Sequence, residues 1–310
     1  MKYLTITFLS LMLSLSAWAQ QTHNVSYSPV IPKLDGKIND DPVWSRLAWS
    51  AQPFRVYKTG KPAVVNTRFK TLYTDDALYF AFECSEPHMD KLKSEVNGDE
   101  FWNFDMIELF IFPRKDELIH LAVSSGGLTG QEIPAAVSKR TKFMTAWRAA
   151  AKRNKTSWTC EFWVPFNLVG AVPDAKAVEL PFTAVRHATP SNQYSTWTVQ
   201  SNLRSTDAYG RLVLQPAPKD KQAVIRRTLV TPHYLALTER WRAIRADRAW
   251  KSVLLENASL AAAIEKIYAD PSNYAKNAFR LADLMEKVFQ LAEKKERSEF
   301  SRMKKRFFEE

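Results

Sequence analysis

Asp105 and Glu108, in the run FWNFDMIELFIF (101–112), are the two carboxylates whose spacing most invites a reading as an acid–base pair. A glycosidase needs two carboxyls facing each other across its substrate, about 5–9 Å apart. The run reads as an extended strand, and residues three apart in a strand leave opposite faces. These two should therefore not converge. The sequence also holds no nucleophile elbow, no Walker loop, no HExxH and no CxxC. Its five histidines, His23, His88, His120, His187 and His233, are scattered without metal-ligand spacing. Catalysis is not what these residues suggest.

The alternation of the same run is more informative. Ile107, Leu109 and Ile111 form a core stripe on one side, which leaves Trp102, Phe104, Met106, Glu108 and Phe110 on the other. A carboxylate among aromatic neighbours suits a groove in which an indole stacks on a sugar ring and the carboxylate accepts from its hydroxyls. The bland alternative is a second packed layer with Glu108 paired to an arginine. A third is a haem site with Met106 as axial ligand.

Cys84 and Cys160 are the only cysteines. Each lies in a strand-like run on the apolar parity, Leu78-Phe80-Phe82-Cys84 and Trp158-Cys160-Phe162-Val164, so both should point inward. Sequence leaves open whether they bond or stay as two buried thiols, since bonding needs Cα atoms within about 7 Å.

The elements that must position these residues are short strands from about residue 25 to 215. Thr67–Tyr73 and Ala77–Cys84 are split by the turn cluster Thr74-Asp75-Asp76. Further strands are expected at Asp105–Phe112, Ile119–Ser124, Ser157–Val164, Tyr194–Gln200 and Arg211–Leu214. Strands so spaced, with no helical pattern between them, indicate an antiparallel β-sandwich or barrel. Trp44, Trp158 and Trp163 are expected in its core or framework.

Pro216 and Pro218 mark a change to helical periodicity. Leu281, Leu284, Met285, Val288 and Ala292 share one helix face, after an Asp270-Pro271 start signal. An antiparallel helical hairpin is expected over 235–310. This region is also the basic one: residues 217–310 carry 20 Lys+Arg against 13 Asp+Glu, which is +7 of the chain's +11. The bias suits a solvated helix face, or an anionic surface or partner, better than nucleic acid.

At the other end, Lys2, the apolar stretch Leu4–Leu15 and Ala17-Trp18-Ala19 read as a signal peptide cut after Ala19. The stretch is shorter than the roughly 20 residues of a membrane-spanning helix. The expected organisation is thus a leader over 1–19, a β domain over 20–216 and a linker with helical region over 217–310, exported to the periplasm or beyond.

From about Ile31 to Leu214 the chain resembles the family 9 carbohydrate-binding modules and their family 9-like relatives. The blocks are LDGKINDDPVW (34–44), TRFKTLYTDDALYFAFECSEP (67–87), FWNFDMIELFIFP (101–113), TSWTCEFWVPFNL (156–168), FTAVRHATP (182–190), STWTVQ (195–200) and AYGRLVL (208–214). The resemblance implies a non-catalytic β-sandwich that holds a sugar between two tryptophans. Carried over, Trp102 becomes one platform, Trp197 the second, Glu108 a hydroxyl acceptor and Arg186 a donor. It also implies structural calcium, with no ligands matched here, and saccharide or polysaccharide partners. A role beside a glycoside hydrolase, or in envelope interaction with a decayed sugar site, is the alternative it leaves. Leu203–Asp207 departs from the family pattern, which leaves the second wall of the site undefined.

Overall fold

The computed structural model describes residues 21–93, 101–113, 117–133, 147–173 and 175–225, with 251–268 and single positions between 241 and 298. The expected leader at 1–19 lies outside the described residues. What is described is mainly β. The strands are β1 (Thr22–Tyr27), β2 (Arg55–Val56), β3 (Thr67–Tyr73), β4 (Ala77–Ser85), β5 (Met106–Ile111) and β6 (Ile119–Ser124). They continue as β7 (Thr129–Glu132), β8 (Arg148–Arg153), β9 (Ser157–Pro165), β10 (Val178–Ala188), β11 (Gln193–Thr196) and β12 (Gly210–Leu214).

The strands run in the order β7-β6-β5-β10-β12-β1-β3-β4-β9-β8, with β11 and β2 attached beside β10. β1 divides this order into two sheets. Its residues Thr22–Val25 pair with β12 in the first sheet, and Ser26 and Tyr27 pair with β3 in the second. Both of those pairings are parallel, a departure from the all-antiparallel expectation; every other strand pair is antiparallel.

Alternation fills the space between the sheets. Phe69, Phe80, Phe82, Phe162 and Val164 of the second sheet share one core with Ile107, Leu109, Ile111, Leu121, Val123 and Phe182 of the first. Fully burying side chains of this size stabilises by about 1.5–3 kcal/mol each, before conformational entropy is subtracted. Cys84 and Cys160 both point into this core as free thiols, where β4 and β9 register them to Trp158 and Phe82. Burial pushes the Cys84 thiol up to about 12 and raises Cys160 well above its ordinary value.

The LDGKINDDPVW run lies over the outer face of the second sheet. Gly36 takes φ +77° and passes so close to β8 that a Cβ would lie 2.8 Å from the Ala151 carbonyl carbon. Asp41 caps α1 (Pro42–Ser45) by accepting from the Val43 N–H, with Pro42 at the first helical position. Glu161 of β9 ties the run down, accepting from Trp44 Nε1 at 2.6 Å, Gly36 N at 2.7 Å and Asp35 N at 3.1 Å. Trp44, Trp158 and Trp163 are buried, as their neighbourhoods in the sequence suggested.

The sequence located β3 and β6 residue for residue, but did not identify β1, β2, β7, β8 or β10 as strands. β10 is the hub of the first sheet, pairing with β5, β11 and β12. Pro181 within it argues against a central strand, yet its carbonyl still accepts from Phe112 N. The strand expected over Tyr194–Gln200 ends at Thr196, where the Thr196 hydroxyl bonds the Thr198 carbonyl instead of leaving it to a ladder. β9 does end at Pro165, which leads straight into α2 (Phe166–Val169), closed by Gly170 at φ +71°. Of the hairpin expected over 235–310, most lies outside the described residues. α3 (Lys251–Glu256) and α4 (Ala258–Tyr268) are the parts described, and no helix among the described residues is long and apolar enough to cross a membrane.

Candidate functional site

The outer face of the first sheet is where Glu108 emerges. β5 registers Glu108 to Ala122 of β6 and to Val185 of β10, and Phe110 to His120. Glu108 and His120 are therefore diagonal cross-strand neighbours, within reach of each other's side chains. They meet at 2.7 Å, Glu108 Oε2 to His120 Nε2. The other ring nitrogen, Nδ1, lies 3.6 Å from Glu132 Oε2 of β7. Glu132 in turn receives both bonds of Arg204, at 2.8 and 3.0 Å, and those bonds hold its carboxyl below the ordinary range.

Two exposed rings flank this polar row. Trp102 sits on a short 3-10 turn, Phe101–Asn103, just ahead of β5. Its ring lies 5.1 Å from His120, which stacks on Phe110 at 4.2 Å. Phe101 braces it edge-on at 4.9 Å. Phe101 packs against Gly130 of β7, where any Cβ would collide with its ring. On the other side Tyr194 of β11 stacks on His187 of β10, 4.1 Å apart and 7° from parallel. Trp102 and Tyr194 are each 42% exposed, while Glu108, His120 and His187 are 7–8% exposed. The order β6-β5-β10-β11 thus places Glu108 between the two platforms.

Charge and burial define what this face can bind. Burial lowers the His187 pKa, against the opposing pull of Asp105 and Glu108, so its ring is neutral at pH 7. Its Nδ1 is buried and has no hydrogen-bond partner among the described residues. Burial and then the Glu108 charge raise the Tyr194 phenol. Glu108 spends Oε2 on His120 and keeps Oε1 as an acceptor. Flat apolar faces, a carboxylate oxygen and an orphan imidazole nitrogen suit a neutral polyhydroxylic ring.

The four residues singled out in the sequence do not come together. Trp102 and Glu108 share the outer face. Arg186 lies one position out of phase, registered to Ile107, and points inward with 0% exposure. It bonds Asp105 through Nε and Nη2 at 3.2 Å, Ser85 O at 3.0 Å and Glu86 Oε2 at 3.4 Å. Asp105 also accepts from Trp158 Nε1 and Thr189 N. Arg186 is thus an interior anchor beneath the Trp102 turn, with no free donor on the Glu108 face. Trp197 is 1% exposed and packs on Phe69 and Phe182, so it offers no open face to that site. Met106 is buried against Phe104 and Ala122.

The residues missed were Tyr194, His120 and His187. Tyr194 and Trp197 are three apart, but β11 ends at Thr196, so strand parity alone does not relate them. Among the described residues no group of three or more His, Cys, Asp or Glu side chains is arranged to hold a metal ion.

The model of the family described as carbohydrate family 9 binding domain-like matches residues 34–217, more than half of the chain. A search of curated proteins finds no significant match. Similar solved structures include a carbohydrate-binding module family 9 from Caldicellulosiruptor kristjanssonii in complex with cellotriose. It is 16% identical over 64% of this chain and 96% of that one, with a TM-score of 0.49. A module of the same description and organism in complex with glucose is 16% identical over 64% and 97%, also with a TM-score of 0.49.

Proposed function

This chain belongs to the carbohydrate family 9 binding domain-like family, and from that premise we propose that residues 20–216 form an exported, mainly antiparallel β-sandwich that binds a saccharide and leaves its bonds intact. One observation carries the reading: two exposed aromatic rings, Trp102 and Tyr194, lie on the sheet face that also bears Glu108.

In this reading the C–H face of a sugar ring stacks on Trp102, with Tyr194 as the opposing wall. Base–aromatic stacking, the nearest measured analogue, contributes about 1–3 kcal/mol per ring. A sugar hydroxyl donates to Glu108 Oε1, a charge-assisted bond, and another meets His187 Nδ1. His120 and the Glu132–Arg204 pair hold the Glu108 carboxylate in place. Arg186 acts from behind the sheet by fixing Asp105 at the base of the Trp102 turn. Trp197 supports the same domain from its core.

The leader-like residues 1–19 support delivery to the periplasm or beyond, in polysaccharide recognition or catabolism. We read 217–310 as a linker and helical region, with a hairpin over 235–310 whose basic face docks an envelope partner or an anionic surface. The test is calorimetric titration of the full chain with gluco-, xylo- and N-acetylglucosamine oligosaccharides, followed by chromatography of the ligand. A saturable isotherm with intact ligand supports the reading. Shortened oligosaccharides, or silence from folded protein across the panel, refute it.

A further inference from the structure

We propose that the chain carries a second small-molecule site, for a single neutral hydroxyl-bearing ring, at the seam where β1 passes from one sheet to the other. β1 reaches β3 only at Ser26 and Tyr27. Upstream, the β3 edge faces the segment 47–52 instead, where Ser50 N donates to Phe69 O and Phe69 N donates to Ser50 Oγ. A cavity of about 320 Å³ lies at this junction, its walls including His23, Asn24, Trp49, Gln52, Thr71 and Trp197. That volume is at the small end of ligand pockets, which run from about 300 to 1,000 Å³.

Two features point to a ligand. Trp197 Nε1 and Thr71 Oγ1 are buried without a hydrogen-bond partner among the described residues. Buried polar groups left unpaired are costly and rare, and both belong to walls of the same cavity. Trp197 is held there by edge contacts to Phe69 at 5.3 Å and His23 at 6.4 Å. An incoming oxygen would accept from the indole N–H, and an incoming hydroxyl would pair with Thr71.

The second feature is charge. None of the lining residues is Asp, Glu, Lys or Arg, and burial pushes His23 down to about 4, so its ring is neutral at pH 7. Two cations lie over the Trp49 ring, Arg68 at 4.2 Å and Lys70 at 4.4 Å, and each is also bound to a partner, Arg68 to Glu83 and Lys70 to the Trp44 carbonyl. The walls therefore offer aromatic faces and neutral hydrogen-bonding groups, which suits a monosaccharide or cyclic polyol over an anion or cation. This site is separate from the Trp102 face, and its proposal does not depend on that face binding sugar.

The experiment is titration of the full-length Trp102→Ala protein with D-glucose, D-xylose and myo-inositol, read by calorimetry and by the indole ¹⁵N–H signal of Trp197, assigned with Trp197→Phe. The expected result is one saturable site that shifts the Trp197 signal. Thr71→Val, which keeps shape and strand preference, should weaken it tenfold or more. Ala48→Phe, at an exposed wall position, should abolish it with melting temperature unchanged. No binding of any of the three probes, which is also what a cavity holding only water would give, overturns the proposal. So does a remaining site indifferent to both substitutions.

Discussion

Arg186 and Glu108 stand on adjacent registered strands but leave the sheet through opposite faces, because Glu108 is paired with Val185 and Arg186 with Ile107. The arginine therefore works in the interior, against Asp105 and Glu86, while the carboxylate works on the outer face with His120. Removing the guanidinium leaves the buried Asp105 and Glu86 without their countercharge. Arg186→Met should cost about 3–5 kcal/mol of folding stability, measured by chemical denaturation. Loss of saccharide affinity without loss of stability would instead make Arg186 a ligand residue.

Gly130 and Phe101 supply a second prediction. A methyl at Gly130 would occupy the space of the Phe101 ring, which braces Trp102. Gly130→Ala should weaken saccharide binding several-fold, and trimming the brace with Phe101→Leu should restore part of it. Titration of the single and double variants checks this; equal affinities for Gly130→Ala and the parent would separate the brace from the platform.

His23 should make the fold acid-sensitive. Its folded pKa is depressed to about 4 by burial, whereas the unfolded value is near 6.5. Below pH 6.5 the unfolded chain takes up a proton that the folded one refuses. Stability is therefore complete above about pH 6.5 and falls as pH drops toward about 4, by about 3 kcal/mol from this group. Denaturation curves of the parent and His23→Phe between pH 7 and 4.5 should diverge in that window, with the parent losing more.

The two thiols should behave as inert core groups. Cys84 and Cys160 are buried, free and of raised pKa. A chromogenic thiol reagent should label neither in native protein at pH 7 and both after denaturation without reductant. Absence of label in denatured, unreduced protein would mean a disulfide.

What the sequence made legible follows a simple physical line. The mainly β fold could be read because alternating runs such as Thr67–Tyr73 and Ile119–Ser124 advertise a period of two. β10 escaped because Pro181 interrupts it and because Val185 stands in its outer row and Arg186 in its inner one, which breaks the apolar–polar alternation. Within the site, Trp102 and Glu108 were reached by alternation along one run, although Trp102 stands on a 3-10 turn ahead of the strand that carries Glu108. Tyr194, His120 and His187 were not, because cross-strand register brings them to that face and one strand's sequence does not encode its partner's phase. Arg186 and Trp197 were carried over from the resemblance, and the structure places both in the interior, Arg186 against Asp105 and Trp197 against Phe69.

The central claim is that a saccharide sits between Trp102 and Tyr194 over Glu108. The most direct measurement is calorimetric affinity for the best oligosaccharide in parent, Trp102→Ala, Tyr194→Ala and Glu108→Gln proteins, each shown to be folded by its melting temperature. Each substitution should weaken binding by about 5- to 150-fold, the equivalent of 1–3 kcal/mol, without shifting the melting temperature by more than a few degrees. Parent-like affinity in both Trp102→Ala and Tyr194→Ala would place the saccharide elsewhere on the molecule and contradict the account.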